Sequence, residues 1–233
     1  DWMVAKVFPF DDQEKADEFW KEKDEFWFDY IADSGDGMMA TYSIAYLCMK
    51  TLKLKHPGTE STIELPRGKF LFVGGDTTYH LADYATLHNR FHIPFIWAHE
   101  DLGALVDAAR RPIFAIPGNH DYYDMLDGFR RQFRLPFPSK PDEGDYSHGV
   151  YGPQLSIPGF ERFQETSYVA LRLPFEWMIW GLDTEVGKID ERQRDFFKSV
   201  NKGQIPDKLI VATSAPTTVF GEFADRDDEK CAK

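Results

Sequence analysis

The chain has 233 residues, 42% of them hydrophobic and 15% aromatic, and a formal net charge of −12. This length and composition suffice for one large domain with a substantial core, and they argue against disorder over most of the chain. The negative charge argues against a general nucleic-acid or anionic-membrane binder, because both need a basic surface. An anionic substrate stays open, since bound cations reverse the local field.

Three features of the sequence indicate where the protein resides: its cysteines, its apolar runs and its N-terminal residues. Cys48 and Cys231 are too few and too far apart to indicate a disulfide framework or a thiolate metal site. No apolar run reaches about 18 residues, so no membrane span is expected. The sequence starts without an initiator Met or a signal-peptide pattern, which favours a cytoplasmic location and a piece of a longer or processed protein. The oligomeric state stays open.

The predicted elements of the first half alternate between helices and strands. In chain order they are an exposed helix over 11–25, a strand over 26–33, a helix over 38–54, a strand over 69–76, helices over 83–92 and 99–110, a strand with its exit loop over 111–120, and a helix over 122–133. The helices follow from apolar residues at helical spacing, and the strands from short β-branched and aromatic runs that end in glycine.

The second half is predicted to contain a hairpin. A Pro- and Gly-rich loop over 135–160 precedes two adjacent strands over 166–174 and 176–184, a helix over 189–200 and a strand over 208–214. Such an order favours a mixed sheet flanked by helices, an α/β fold. Residues 1–25 are interpreted as an N-terminal flanking helical segment, and residues 26–233 as one domain that continues beyond the given chain.

Three of the predicted strands end in side chains with oxygen or nitrogen donors. These are Asp33 and Asp36 after the first strand, Asp76 and Tyr79 after the second, and Asn119, His120 and Asp121 after the third. In an open α/β sheet, ligands collect outside the carboxyl ends of the strands. Hard and borderline cations prefer such donors, and a carboxylate can bridge two of them. A single GD or DG after a strand is usually a turn, but three such ends in succession favour a metal site.

The remaining histidines give weaker indications. The four in helical or loop context are interpreted as surface or packing groups: His56, His88, His92 and His99. His80 and His148 are candidates for outer contacts of the metal site.

Two of these strand ends resemble the motifs of a known family. GDxxY (Gly75, Asp76, Tyr79) and GNHD (118–121) resemble the calcineurin-like metallophosphoesterases. DxG at Asp33–Gly35, in place of the commoner DxH, is together with Tyr79 nearest to the purple acid phosphatase pattern. The resemblance covers roughly residues 26–215. It implies a four-layer αββα sandwich with mixed sheets, and hydrolysis of phosphomonoesters or phosphodiesters at a binuclear metal centre.

The resemblance also implies a set of metal ligands. Asp33 and Tyr79 would bind the first ion, Asp76 would bridge, and Asn119 would bind the second. Asp36 has no fixed role in the family pattern and is treated as an additional ligand or as a group beside one. A Tyr79 phenolate would favour Fe(III) paired with a divalent ion, whereas a Tyr79 hydroxyl that only hydrogen-bonds would favour two divalent ions (Mn, Zn, Fe or Mg).

The remaining GNHD residues would serve the reaction. The metal pair would clamp the phosphoryl oxygens and lower the pKa of a bridging water. His120 would stabilise or protonate the leaving oxygen, and Asp121 would hold and orient the His120 ring.

The chain departs from the family at its later motifs. VxxH reads VATS at Val211–Ser214, and the GHxH motif is absent. Two hypotheses follow: a hydrolase whose last ligands lie outside this sequence, and a degenerate domain with a binding or regulatory role. A nucleotide-binding α/β protein is disfavoured because no GxGxxG or GKS/T loop is present. The substrate stays open among phosphoproteins, nucleotide diesters and small monoesters.

Overall fold

Two four-stranded β-sheets form the centre of the computed structural model. The structure describes residues 5–9, 12–21, 24–103, 110–135, 154–185 and 189–214, and the backbone of 218–219 and 222–223. The strands are β1 (Val7–Phe8), β2 (Asp29–Ile31), β3 (Leu52–Lys55), β4 (Thr62–Leu65), β5 (Leu71–Val73), β6 (Arg111–Ala115), β7 (Phe160–Arg162), β8 (Val169–Arg172), β9 (Trp177–Gly181), β10 (Lys208–Ala212), β11 (Thr218–Val219) and β12 (Glu222–Phe223).

The first sheet, which we call the parallel sheet, has the order β2-β5-β6-β7, and all its strands run in the same direction. Its two central strands, β5 and β6, are buried along their whole length. Apart from Arg111, which forms an ion pair with Asp29 at 2.7 Å, their residues are apolar, as expected for a parallel sheet that is covered on both faces. Because β2, β5 and β6 are neighbours and parallel, their carboxyl ends meet at one edge.

The second sheet, which we call the mixed sheet, has the order β1-β8-β9-β10. The predicted hairpin is confirmed, because β8 and β9 pair in antiparallel fashion across the short 3₁₀ turn Pro174–Glu176. β10 joins β9 in parallel, and the short N-terminal strand β1 joins β8 in parallel. β1 was not predicted from the sequence.

The helices lie between the strands in the order expected for an α/β chain. They are α1 (Gln13–Trp20), α2 (Met38–Cys48), α3 (Tyr84–Leu87), α4 (Ile93–Leu102), α5 (Asn119–Tyr122), α6 (Asp127–Phe133) and α7 (Glu191–Ser199). A π-helical turn over His88–His92 connects α3 to α4, and a 3₁₀ turn over Val200–Gly203 follows α7.

Three apolar cores define the layers. One lies between the parallel sheet and helices α2, α4 and α6 and includes Phe91 and Phe95. A second lies between the two sheets, where Phe72 and Leu171 share a cluster. The third lies between the mixed sheet and α7 and includes Phe197. The mixed α/β class is therefore confirmed, and the layering is compatible with an α/β sandwich.

Several predicted bounds need correction. The helix predicted over 38–54 ends at Cys48, and residues Leu52–Lys55 instead pair with Thr62–Leu65 in an exposed antiparallel hairpin. The alternation of Leu and Lys in this segment suits a strand. The longer helix was predicted because Leu52 also continues the helical spacing of Ala45 and Cys48. The helix predicted over 122–133 begins only at Asp127, because Met125 and Leu126 have φ of 61° and 62°, which no right-handed α-helix allows, and Tyr122 is instead the last residue of the short helix α5.

The helices predicted over 83–92 and 99–110 also differ from the structure, which is helical without a break from Tyr84 to Leu102. Residues 104–109 lie outside the described residues, as does 136–153 of the predicted loop, which contains His148. Among the described helices, none combines the length and apolar character needed to cross a membrane.

Candidate metal centre

The predicted site residues follow three neighbouring parallel strands. Asp33 lies just beyond β2, Asp76 just beyond β5, and Asn119 just beyond β6 at the start of α5. The loops that leave the strands are joined, since the Asp33 N–H donates to the carbonyl of Gly75 at 3.1 Å. Three segments far apart in sequence thus reach the same edge of the parallel sheet.

Tyr79 connects the two carboxylates at this edge. Its hydroxyl donates to Asp33 Oδ1 and lies 3.4 Å from Asp76 Oδ2. Burial, followed by the hydrogen bond to Asp33 and the two negative charges, raises the pKa of Tyr79. Without a cation, Tyr79 is therefore a neutral phenol that shares its one proton with two carboxylates.

Asp76 lies between Tyr79 and the GNHD segment. While Oδ2 is near the Tyr79 hydroxyl, Oδ1 accepts a hydrogen bond from the His120 N–H at 3.0 Å. Both Asp33 and Asp76 have left-handed backbone conformations, with φ of 53° and 47°. Asp tolerates this region better than most residues, and such conformations concentrate at functional sites.

Gly118 makes this approach to Asp76 sterically feasible. A Cβ atom at this position would lie 2.2 Å from Asp76 Oδ1 and 2.6 Å from the Asp76 nitrogen. No side chain fits there, which gives a physical reason for the glycine of the GNHD segment.

The imidazole of His120 packs between two aromatic rings, with centroid distances of 4.5 Å to Tyr79 and 5.0 Å to Tyr123. Its Nδ1 lies 2.6 Å from the carbonyl oxygen of His80. A carbonyl only accepts, so Nδ1 carries the hydrogen and Nε2 is the ring nitrogen that this hydrogen bond does not involve.

Asp121 does not hold this ring, contrary to the expectation from the sequence. Its carboxylate is fully buried and accepts hydrogen bonds from the N–H groups of Gly118 at 2.8 Å and Thr77 at 3.4 Å. Burial raises the pKa of Asp121 to about 6, although these two donors act in the opposite direction. The physical role of Asp121 here is to tie the loop after β6 to the loop after β5.

Asn119 and Asp36 are both exposed. The amide nitrogen of Asn119 donates to the Tyr123 hydroxyl at 3.1 Å, which leaves its carbonyl oxygen for another partner. Asp36 lies in the turn before α2, and within the described residues no hydrogen bond or ion pair joins it to Asp33, Asp76 or Tyr79. The structure thus brings Asp33, Asp76, Tyr79 and His120 into contact and leaves Asp36 apart from these contacts.

The charge and donor atoms of the cluster fit a cation. Asp33 and Asp76 share one hydroxyl, and no Lys or Arg in the described part of the chain forms an ion pair with either. The described residues contain no group of three or more His, Cys, Asp or Glu side chains placed for a metal, so the set consists of two carboxylates and a phenol oxygen. Such oxygen donors suit a hard cation.

Ser214 stands where the family pattern has a histidine. It lies just beyond β10, and its hydroxyl donates to Glu185 Oε1 at 2.5 Å and lies 3.1 Å from Thr184 Oγ1. The hydroxyl is therefore engaged by neighbouring protein groups, and it is a poorer metal ligand than an imidazole.

Three further residues contact the site, and of these only His80 was named from the sequence, as an outer contact. Its main-chain carbonyl orients His120, Tyr123 contacts Asn119 and His120, and Arg90 donates to the carbonyl of Tyr79 at 2.6 Å. The i, i+4 spacing of Asn119 and Tyr123 was a usable signal once a helix was assumed there. Contacts with main-chain carbonyls leave no signal in the sequence.

Comparison of the chain with protein-family models, with curated proteins and with solved structures finds no match.

Proposed function

We propose that this chain carries a metal-dependent phosphoesterase site of the metallophosphoesterase type, on that family's four-layer αββα fold. The substrate class is phosphomonoesters or phosphodiesters. The observation that carries the proposal is the linked set Asp33, Tyr79, Asp76 and His120, which joins the carboxyl ends of three parallel strands. In open α/β sheets this edge is where ligands bind.

The residues assigned to metal binding follow from their oxygen atoms. Asp33, Asp76 and Tyr79 would hold the first ion, and Asp76 with Asn119 would reach the second. Asp76 suits a bridging role because its two oxygens already have different partners, the Tyr79 hydroxyl and the His120 N–H. Bound there, a metal pair supplies charge neutralisation for a phosphoryl group and an activated water.

His120 is the group assigned to the leaving oxygen. The His80 carbonyl fixes its Nδ1–H, so Nε2 is available to donate when the imidazole is protonated. Proton transfer by a positioned group of this kind contributes about 10²- to 10⁴-fold in rate. Asp121 supports this placement indirectly, because it holds the segment in which His120 lies.

A second candidate function is a degenerate domain that binds a metal or a phosphorylated partner without turnover. The observation that favours it is Ser214, whose hydroxyl is committed to Glu185. The second ion then lacks an imidazole, and loss of such a group typically costs 10- to 100-fold or more in affinity or activity. We accordingly expect the second site to be much weaker than the first in this chain.

Metal titration tests the proposal. Calorimetry with Mn²⁺ should show binding to the unmodified chain and at least about tenfold weaker binding to Asp76→Asn, because this carboxylate serves both ions. Asp36→Asn is the matched control and should bind as the unmodified chain does, since Asp36 makes no contact with the cluster within the described residues. Hydrolysis of an aryl phosphomonoester and an aryl phosphodiester is assayed in parallel.

The outcomes separate the candidate functions. Binding with Asp76-dependent hydrolysis supports the phosphoesterase, and binding without hydrolysis supports the degenerate domain. Equal loss of Mn²⁺ binding in Asp36→Asn and Asp76→Asn contradicts the ligand assignment. Absence of Mn²⁺ binding in the unmodified chain contradicts the phosphoesterase and the metal-binding form of the degenerate domain.

A further inference from the structure

Two histidines face each other on the π-helical turn between α3 and α4. The ring centroids of His88 and His92 are 5.4 Å apart, and their planes are inclined by 48°. The spacing i, i+4 puts both side chains on one side of the helical run. Neither residue belongs to the candidate centre described above.

The hydrogen bond of His92 fixes which of its nitrogens has a free lone pair. Nε2 lies 2.7 Å from the carbonyl oxygen of Ser156, so Nε2 carries the hydrogen and Nδ1 does not. Nδ1 is buried and has no hydrogen-bond partner among the described residues. Burial also lowers the pKa of His92, which keeps the ring neutral. A buried acceptor nitrogen without a partner is costly unless something binds it.

The separation of the rings matches two imidazoles on one ion. With metal–nitrogen bonds of about 2.0–2.1 Å and a tetrahedral angle, the two ring centres lie about 5 Å apart. His88 is available for such a bond, because its Nδ1 makes only a long contact of 3.4 Å with Asn89 Oδ1.

We propose that His88 and His92 form a binding site for a borderline transition-metal ion, of the class of Ni²⁺, Cu²⁺ or Zn²⁺. Imidazole donors favour these ions, whereas the oxygen cluster of Asp33 and Asp76 favours harder ones. No third His, Cys, Asp or Glu of the described residues completes the set, so water fills the other positions. Arg90, which holds the Tyr79 carbonyl, lies on the same turn, so the bound ion would also brace that contact.

The test is a Ni²⁺ titration of the tag-free chain by calorimetry. His88→Gln and His92→Gln should each weaken Ni²⁺ binding at least tenfold, because each removes one of two chelating nitrogens. His56→Gln, which alters an exposed histidine elsewhere, should change the affinity less than twofold. The titrations are repeated in the Asp76→Asn background, in which the oxygen cluster has lost a carboxylate assigned to it, so that Ni²⁺ bound there does not enter the comparison. The retention of binding in Asp76→Asn separates this site from the proposed phosphoesterase centre.

A second measurement covers the case in which His92→Gln disturbs the fold. Substoichiometric Cu²⁺ should broaden the ring proton resonances of His88 and His92 in the unmodified chain before those of the other histidines. Unchanged Ni²⁺ affinity in His88→Gln overturns the proposal, as does Cu²⁺ broadening that begins at other histidines.

Discussion

At the scale of single residues, Asp183 joins three parts of the molecule through its buried carboxyl group and its main chain. It is 5% exposed and accepts a hydrogen bond from the Tyr122 hydroxyl, at the end of α5, at 2.7 Å. Its main-chain N–H and carbonyl pair with the Gln193 side chain of α7 at 2.8 and 2.9 Å. Burial is the largest cause of a raised Asp183 pKa.

This raised pKa predicts how the carboxyl group affects stability. The folded state holds the proton of Asp183 more tightly than the unfolded state does. The carboxyl group therefore contributes most to the free energy of unfolding at pH values below the ordinary carboxyl pKa of about 4. This contribution is lost as the pH rises from about 4 through the higher pKa of the folded state. The free energy of unfolding of the unmodified chain, relative to that of Asp183→Asn, should therefore fall as the pH rises above about 4.

Urea unfolding at a series of pH values, with a chelator present, measures this difference. Asn keeps an oxygen that can accept from Tyr122, so the comparison isolates the titrating proton. Asp207→Asn, at an exposed position, is the control for the replacement of a carboxylate by an amide. A difference for Asp183→Asn that does not change with pH would contradict the prediction.

At the scale of elements, the candidate centre depends on two loops that touch. The loop after β5 contains Gly75, and a Cβ there would lie 2.9 Å from the nitrogen of Gly118 in the loop after β6. Asp121 then joins the same loops through Gly118 and Thr77. The position of Asp76 is thus set by the close approach of two backbone segments rather than by its own strand alone.

Gly118→Ala should break this arrangement. The added methyl group would overlap Asp76 Oδ1, which lies 2.2 Å away, although Ala tolerates the backbone at φ −99°. We expect a loss of about 1–3 kcal/mol in the free energy of unfolding, as for other overpacked sites, and at least tenfold weaker Mn²⁺ binding.

Gly37→Ala provides the matched comparison, because nothing lies within 4 Å of a Cβ at that position. It should retain both stability and Mn²⁺ affinity. Calorimetry compares the Mn²⁺ affinities of the two variants, and urea unfolding compares their free energies of unfolding. Equal values for both variants would show that the close approach at Gly118 is not needed.

The elements also show which parts of the structure were accessible from sequence. The ends of β2, β5 and β6 were predictable, because apolar runs followed by Gly, Asp and Asn give a local signal. The hairpin of β3 and β4 was missed because Leu52 continues the helical spacing of Ala45 and Cys48, although Leu52 and Leu54 alternate with lysines as in a strand. The role of Asp121 could not be predicted, since its partners are main-chain N–H groups brought close only by folding.

At the scale of the whole molecule, the N-terminal segment takes part in the core between the sheets. Ala16 and Trp20 of α1 belong to the same buried cluster as Phe70 of the parallel sheet and Leu171 of the mixed sheet. The indole N–H of Trp20 also donates to the carbonyl of Arg172 at 3.0 Å. Helix α1 is therefore part of the core between the two sheets.

Trp20→Ala should destabilise the whole fold. Trp20 is 4% exposed, and its ring centroid lies 5.5 Å from Phe70 and 5.2 Å from Phe26, so truncation opens a large cavity where the sheets meet. Loss of a buried Trp costs about 3–5 kcal/mol, a large share of the roughly 5–15 kcal/mol that stabilises a domain.

Trp97→Ala removes the same side chain from a position 41% exposed on α4, and we expect a cost of less than half as much. Urea unfolding followed by circular dichroism compares the two variants. If Trp20→Ala costs no more than Trp97→Ala, α1 adds little to the core between the two sheets, and residues 1–25 are better described as a flanking segment.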